Sequence, residues 1–128
     1  MGLAVLDSSV VIASIDDQDA LHHRSVEAIR AIRKQHELAV PAVAYAEVLV
    51  GAFSHGEHAV ATVETFVLGA PVRELSPAMA RRAASIRAQH GLPLPDAMIV
   101  GAAVELNADV ILTADRRWMK VDPRVHVI

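Results

Sequence analysis

Short uncharged runs rich in β-branched and aliphatic residues alternate with longer helix-like segments along this chain of 128 residues. Residues 3–6, 38–40 and 110–113 are the clearest of these runs, and each has the length and composition of a buried strand. Residues 72–75, which include two charged residues, and residues 125–128 are weaker strand candidates. Strands that alternate with helices favour a parallel sheet covered on both faces. We therefore expect an α/β fold with a central parallel sheet of about four to five strands flanked by helices.

The intervening segments carry helical periodicity and helix boundary signals. Residues 76–91 are the clearest example, with Ser76 as N-cap, Pro77 at the first helical position and Gly91 as the stop. Residues 20–36 predict an amphipathic helix, with apolar side chains on one face and charged ones on the other. The remaining predicted helices are a short one ending near Ile15 and those at 41–53, 57–68 and 96–107.

Composition narrows the classes of protein that this chain can belong to. The absence of cysteine excludes a disulfide framework and a thiolate metal site. Aromatic residues are only 3% of the chain, too few for a platform of rings that stacks on nucleic-acid bases. The net charge of −3 is not that of a typical nucleic-acid binder. With no signal peptide and no apolar run of ~20 residues, we expect a soluble cytoplasmic protein of one domain, residues 1–128.

Glu47 is the one charged residue in the helix-length stretch PAVAYAEVLVGAF at 41–53. A helix that is apolar all round is expected to be buried, and an unpaired buried carboxylate costs roughly several kcal/mol. No helical neighbour can pair with it. The neighbours three and four positions away are Val43, Ala44, Val50 and Gly51. Two interpretations fit: a salt bridge to a distant arginine, or a bound cation.

Three aspartates lie where strands end or helices begin. Asp7 directly follows the first predicted strand, Asp115 follows the strand at 110–113 by one residue, and Asp96 opens the helix after LPLP. Each of them alone could be a helix cap or could complement a helix dipole. Carboxyl ends of parallel strands share one edge of the sheet, so these aspartates and Glu47 can converge.

Four carboxylates in one pocket would repel one another and take up protons unless a cation neutralised them. Oxygen ligands of this kind favour Mg²⁺ or Mn²⁺. Zinc chemistry fits less well because the seven histidines are scattered along the chain. His55 and His58, three positions apart, are the one pair with a spacing that suits a metal.

Four segments in order, DSSVVIA, AEVLVG, LPLPDAMIVGAA and LTADRRW, resemble the PIN-domain ribonucleases, and more narrowly the VapC toxins of bacterial toxin–antitoxin pairs. The resemblance covers essentially the whole chain. It implies a three-layer fold with a central parallel sheet and an acidic quartet that holds Mg²⁺ or Mn²⁺. On this resemblance, the quartet is Asp7, Glu47, Asp96 and Asp115.

The resemblance also implies supporting hydroxyl roles for Ser9 and Thr113, beside the first and last acids. Members of the family often have a further acid two residues beyond the last one, where this chain has Arg117. Trp118 stands where the family usually has Phe. Arg116 and Arg117 adjoin Asp115, and we expect them to contact RNA phosphates. The arginines at 81, 82 and 87 fit either a phosphate contact or an ordinary solvated helix face.

The implied function is that of a toxin that cleaves structured RNA, either tRNA or rRNA, as a Mg²⁺- or Mn²⁺-dependent endoribonuclease. The implied partners are RNA, a VapB-type antitoxin and a second copy of the chain. One alternative is a catalytically silent PIN-fold module that binds RNA or the antitoxin. Another is a receiver-type phosphoacceptor domain, which would place a paired acid after the first strand and a lysine after the last. Here Ser8 and Ser9 follow Asp7, and no lysine comes before Lys120.

Overall fold

Five parallel strands form one sheet in the computed structural model of this protein, which describes residues 1–128. The spatial order is β3-β2-β1-β4-β5. The strands are β1 (Gly2–Leu6), β2 (His36–Pro41), β3 (Val72–Arg73), β4 (Val110–Thr113) and β5 (Val125–Val127). The predicted α/β fold with a parallel sheet of four to five strands is confirmed.

The central strand β1 is buried on both faces. Ala4, Val5 and Leu6 have no exposed surface, and successive side chains of a strand point to opposite faces. β1 pairs with β2 on one side and with β4 on the other, so the chain reverses its winding direction here, and such a switch point opens a crevice at the carboxyl ends of the strands. Receiver-type domains have the order 2-1-3-4-5, and the observed order therefore excludes that alternative.

Six α-helices and one short 3₁₀ helix accompany the sheet, and α1 contacts α2, α3 contacts α4, and α5 contacts α6. None of these helices has the length and hydropathy that would let it span a membrane. The helices are α1 (Ser8–Ile15), α2 (His22–Arg33), α3 (Ala42–His55), α4 (Glu57–Phe66), α5 (Pro77–His90) and α6 (Leu94–Glu105), and the 3₁₀ helix is Arg116–Trp118.

Helix α5 begins and ends where the sequence predicted. The backbone N–H of Met79 donates to Ser76 Oγ over 3.1 Å, which caps the first turn. Gly91 ends the helix in the left-handed region, with φ of 70°. α5 lies against α6 at Gly101, where a Cβ atom would come within 3.0 Å of a backbone atom of Ala83. Only glycine allows the two helices this approach.

Two predicted helices have different bounds in the structure. The segment 20–36 is helical only from His22 to Arg33, because His36 begins β2 and pairs with Gly2 of the central strand. Strand pairing overrides helical periodicity at this point. The segment 96–107 begins two residues earlier, because Pro95 fits a first helical turn, where its missing N–H leaves no bond unmade.

Two further predicted elements end two residues earlier in the structure. The predicted helix 57–68 ends at Phe66. The predicted strand 72–75 is reduced to Val72–Arg73 and pairs only with the end of β2. β3 is the edge strand of the sheet, so it has a single neighbour to extend it.

Helix α3 is not buried on all sides, and this expectation was wrong. Ala44, Val48 and Ala52 are buried at a spacing of four and face the core. On the outer side Val50 is 74% exposed and Phe53 is 69% exposed. The apolar composition of the helix predicted burial of every face, whereas the rest of this chain covers only one face.

Candidate functional site

Asp7 lies at the junction between the ends of β1 and β4. Its backbone N–H donates to the carbonyl of Leu112 over 2.9 Å, and only 4% of the residue is exposed. Asp7 occupies the N-cap position of α1, yet its side chain accepts no capping bond from the helix backbone. The cap interpretation therefore does not explain the side chain, which faces inward.

Hydroxyl groups hold the Asp7 carboxylate. Ser9 Oγ donates to Oδ2 over 2.7 Å and Thr113 Oγ1 donates to the same oxygen over 2.8 Å. Each hydroxyl also accepts a backbone N–H from the end of β4, from Ala114 and Asp115 respectively. Each hydroxyl thus donates its proton to Asp7 and accepts a backbone N–H with its oxygen. These bonds connect the carboxylate at the end of β1 to the backbone at the end of β4.

Ser8 links Asp7 to Glu47, a contact that the sequence did not reveal. Ser8 Oγ lies 3.2 Å from Glu47 Oε1 and 3.4 Å from Asp7 Oδ1. A hydroxyl has one proton, so the two carboxylates share it. Glu47 is half-buried rather than fully buried and makes no ion pair. The interpretation of Glu47 as the partner of a distant arginine is therefore wrong.

Asp96 and Asp115 face each other across Arg117. Arg117 Nη2 lies 2.6 Å from Asp115 Oδ2 and 3.6 Å from Asp96 Oδ2. Asp115 also accepts the backbone N–H of Arg117 over 2.9 Å, so the cap interpretation holds for this residue. Asp96 lies in the first turn of α6, where its charge complements the helix dipole.

Trp118 lies buried beside Asp96, a contact that the sequence did not reveal. It is 1% exposed, and its indole N–H has no acceptor in hydrogen-bond geometry. Burial raises the pKa of Asp96, and the N–H of Trp118 lies close enough to that carboxylate to oppose the rise. The sequence marked Trp118 as the single tryptophan of the chain, three residues after an acid and at a position where Phe is usual in the resembling family.

The pKa values of three carboxyl groups are raised. Burial is the largest cause for Asp7, Glu47 and Asp96, and hydroxyl hydrogen bonds at Asp7 and Glu47 and the nearby Trp118 N–H at Asp96 partly oppose it. The charges of Asp7 and Asp96 add to the rise at Glu47. The pKa of Asp115 is lowered instead, because the Arg117 side chain donates hydrogen bonds to it. The four predicted acids therefore act on one another, although their environments differ.

The donor set suits a hard divalent cation, because it consists of oxygens alone. In the present side-chain arrangement, no three acidic or histidine residues come close enough to hold one ion. The carboxylates are held in two pairs, one joined through the hydroxyl of Ser8 and the other through the guanidinium of Arg117. Assembly of one cation site therefore requires these side chains to rotate.

The other predicted site residues lie apart from this cluster. Arg116 is exposed and makes no ion pair. Two of the arginines on α5 are already engaged, Arg82 with Glu105 and Arg87 with the carbonyls that follow the helix. His55 bonds back to its own helix, and no metal cluster forms around it and His58.

Comparison with known proteins decides the family. The sequence model of the PIN domain matches residues 4–123. The chain belongs to the PIN domain family. No curated protein sequence matches it.

Solved structures have the same PIN fold at low sequence identity. A toxin–antitoxin complex from Klebsiella pneumoniae contains a chain with a TM-score of 0.81 and 21% identity, with 98% of this chain and 99% of that chain covered. DNA-bound VapBC from Salmonella typhimurium gives a TM-score of 0.75 and 20% identity, over 100% and 98% of the two chains. Mycobacterium tuberculosis VapC20, a toxin that cleaves the sarcin–ricin loop, gives 0.68 and 14%, over 84% and 86%.

Proposed function

We propose that this PIN domain is the toxin of a VapBC-type toxin–antitoxin pair and hydrolyses phosphodiester bonds in structured RNA with the help of Mg²⁺ or Mn²⁺. The observation that carries the proposal is the set of four carboxylates at the switch point of the sheet, three of them with raised pKa values. Carboxylates that burial and mutual repulsion destabilise in this way gain from a shared cation.

Asp7, Glu47, Asp96 and Asp115 are the proposed metal ligands and catalytic residues. A divalent ion held there would supply an activated water and positive charge opposite the leaving oxygen. The residues of the chain supply orientation. Ser9 and Thr113 fix the Asp7 carboxylate, and the proton of Ser8 keeps Asp7 and Glu47 close despite their like charges.

RNA is the proposed substrate, and Arg116 and Arg117 are the proposed phosphate contacts. Both follow Asp115 closely in the sequence and both are exposed, so a backbone phosphate can reach Arg116, which makes no ion pair, and can compete with Asp115 for Arg117. Either tRNA or rRNA fits the proposal. VapC20, which shares the fold, cleaves the sarcin–ricin loop. An RNA substrate also favours a cytoplasmic location.

A VapB-type antitoxin and a second copy of the chain are the proposed protein partners. Structures of the same fold were solved as toxin–antitoxin complexes, two of them from K. pneumoniae and S. typhimurium. The outer face of α3 supplies uncovered apolar surface at Val50 and Phe53. Val50 and Phe53 are three positions apart on one helix and so are neighbours on its surface, and contiguous exposed apolar surface marks places where another chain binds. Residues 1–128 would act as one PIN domain in such an assembly.

The test is cleavage of total cellular RNA by the purified chain in Mg²⁺ or Mn²⁺, with the new 5′ ends mapped. Discrete cuts that disappear in EDTA and in Asp96→Asn are expected. The matched control is Asp17→Asn, in an exposed loop away from the site, which should cleave like the unmodified chain. Cuts that persist in Asp96→Asn would contradict the proposed site.

The silent PIN-fold module remains a second candidate because one observation favours it. No three acids converge on a single point in the present arrangement. If the folded chain binds Mn²⁺ and its antitoxin but leaves total RNA intact, the silent module is the better account.

A further inference from the structure

We propose that Arg117 is an internal counter-cation that closes half of the metal site, so that a divalent ion must displace its guanidinium before Asp115 and Asp96 can act as ligands. The inference deepens the proposed function and rests on its assignment of the metal site. In this proposal, the contacts of Arg117 set the concentration of free metal ion at which the site is filled.

The contacts of Arg117 occupy the carboxylate of Asp115 completely. The Nε atom donates to both carboxylate oxygens, over 3.1 and 3.0 Å, and Nη2 donates to Oδ2 over 2.6 Å. The backbone N–H of Arg117 takes a further position on Oδ1, over 2.9 Å. These four contacts match the roughly four lone-pair positions of a carboxylate, so an ion that binds Asp115 must compete with the side chain of Arg117.

The second carboxylate of this pair feels the same cation. Nη2 of Arg117 lies 3.6 Å from Asp96 Oδ2, within ion-pair range although longer than a hydrogen bond. The guanidinium therefore lies between Asp96 and Asp115 and reduces the repulsion between their negative charges. A bound divalent ion would have the same effect. A monovalent side chain and a divalent ion compete for one position.

The contact is built so that it can open. The side chain of Arg117 is 66% exposed, and its departure leaves no cavity in the core. Exposed ion pairs are weak because water solvates both partners well, and a divalent ion has twice the charge. Arg117 can therefore turn into solvent and return without unfolding the 3₁₀ helix that carries it.

Trp118 supplies an independent indication that the arrangement around Asp96 is incomplete. Its indole N–H is buried and unpartnered although it lies beside that carboxylate. Buried donors are almost always satisfied. Asp96 is the nearby carboxylate that can accept this N–H once its contact with Arg117 is lost.

The single tryptophan also makes the test possible without RNA. Mn²⁺ is titrated into the metal-free chain while the fluorescence of Trp118 and, separately, the heat of binding are recorded. Arg117→Gln removes the charge and leaves a shorter, neutral polar side chain. Arg116→Gln removes the same charge one residue away from a side chain that makes no ion pair, and serves as the matched control.

We expect Arg117→Gln to bind Mn²⁺ about tenfold more tightly than the unmodified chain, since a divalent ion no longer competes with a bound cation, and Arg116→Gln to stay within about twofold. Equal or weaker binding by Arg117→Gln overturns the proposal, as does an equal gain in both variants, which would reflect net charge alone. RNA cleavage by the unmodified chain separates the two ideas. Cleavage without a gain in Mn²⁺ affinity for Arg117→Gln overturns only the counter-cation, and a gain in affinity without cleavage by the unmodified chain overturns only the nuclease.

Discussion

Thr113 Oγ1 donates a 2.8 Å hydrogen bond to Asp7 Oδ2 in the interior of the protein, across residues 106 positions apart in the sequence. The bond joins the last residue of β4 to the residue after β1 at the switch point of the sheet. Both residues are buried, so the contact cannot be replaced by water at low cost. It sets the orientation of the most buried acid in the site.

Thr113→Val should lower RNA cleavage by about 10–100-fold, the usual effect of losing a partner that orients a metal ligand. Valine keeps the shape of the side chain but leaves Asp7 without one of its donors. It should also cost about 1–3 kcal/mol of unfolding free energy, measured by urea denaturation. Thr65→Val is the control, because Thr65 is exposed on α4 and bonds only to its own helix. Equal activity of the two variants would contradict the orienting role.

Glu47→Gln should reduce metal-dependent cleavage by at least about 100-fold, more than loss of an orienting partner does, while the chain stays folded. Glutamine keeps an oxygen that can accept from Ser8 but loses the negative charge that a cation requires. Activity is measured on mapped RNA targets and folding by circular dichroism. Glu64→Gln, on the exposed side of α4, should retain full activity. Cleavage by Glu47→Gln at the unmodified rate would remove Glu47 from the site.

Without metal, the unfolding free energy should fall as pH rises from about 4 toward neutrality. Burial raises the pKa of Asp7, and the same cause acts on Glu47 and Asp96, so the folded chain holds protons that the unfolded chain has already released. Asp115 acts in the opposite sense at lower pH, because its pKa is lowered and its contribution is lost as pH falls.

The pH dependence can be tested by urea unfolding in EDTA at several pH values between about 4 and 7, the range that follows from the ordinary carboxyl pKa. Asp7→Asn should flatten the curve and stabilise the metal-free chain at pH 7, since no charge is then buried. Added Mg²⁺ should restore stability to the unmodified chain at pH 7 and should not stabilise Asp7→Asn to the same extent. If the unfolding free energy of the unmodified chain did not change with pH, folding would not raise the pKa values of these carboxyl groups.

Gly101→Ala should destabilise the fold by about 1–3 kcal/mol, the usual cost of overpacking. A Cβ there would lie 3.0 Å from the carbonyl oxygen of Met79 and 3.0 Å from the backbone nitrogen of Ala83, neither of which can move without shifting α5. Gly51→Ala is the matched control in α3, where nothing lies within 4 Å of the new atom. It should stabilise the helix by about 0.5–1 kcal/mol. Equal thermal midpoints for the two variants would contradict the close packing of α5 on α6.

Phe53→Ser should weaken self-association if the outer face of α3 is covered by another copy of the chain. Phe53 is 69% exposed and contributes little to the core, so the monomer should remain folded. Sedimentation over a range of concentrations measures the effect, with Leu68→Ser, exposed at the end of α4, as the control. An unchanged dimer population in Phe53→Ser would place the proposed dimer interface elsewhere.

Local sequence patterns predicted most of the secondary structure. The strands at 3–6 and 110–113 are uncharged runs of the right length, and the helix after Ser76 has its cap, proline and glycine in place. Predictions failed where a long-range partner decides the local structure. His36 was predicted to be helical but lies in β2, where it pairs with Gly2. The two residues are far apart in the sequence, so the pattern of near neighbours does not reveal this contact.

The sequence by itself determined the alternation of strands and helices, the positions of three aspartates next to strand ends or helix starts, and the place of Glu47 inside an apolar helix, because periodicity and helix boundaries depend on near neighbours. Only the tertiary structure decided the order of the strands, the exposure of Phe53, the proton that Ser8 shares between Asp7 and Glu47, and the guanidinium between Asp96 and Asp115. Each of these depends on the packing of distant segments, whose contacts exist only once the chain has folded.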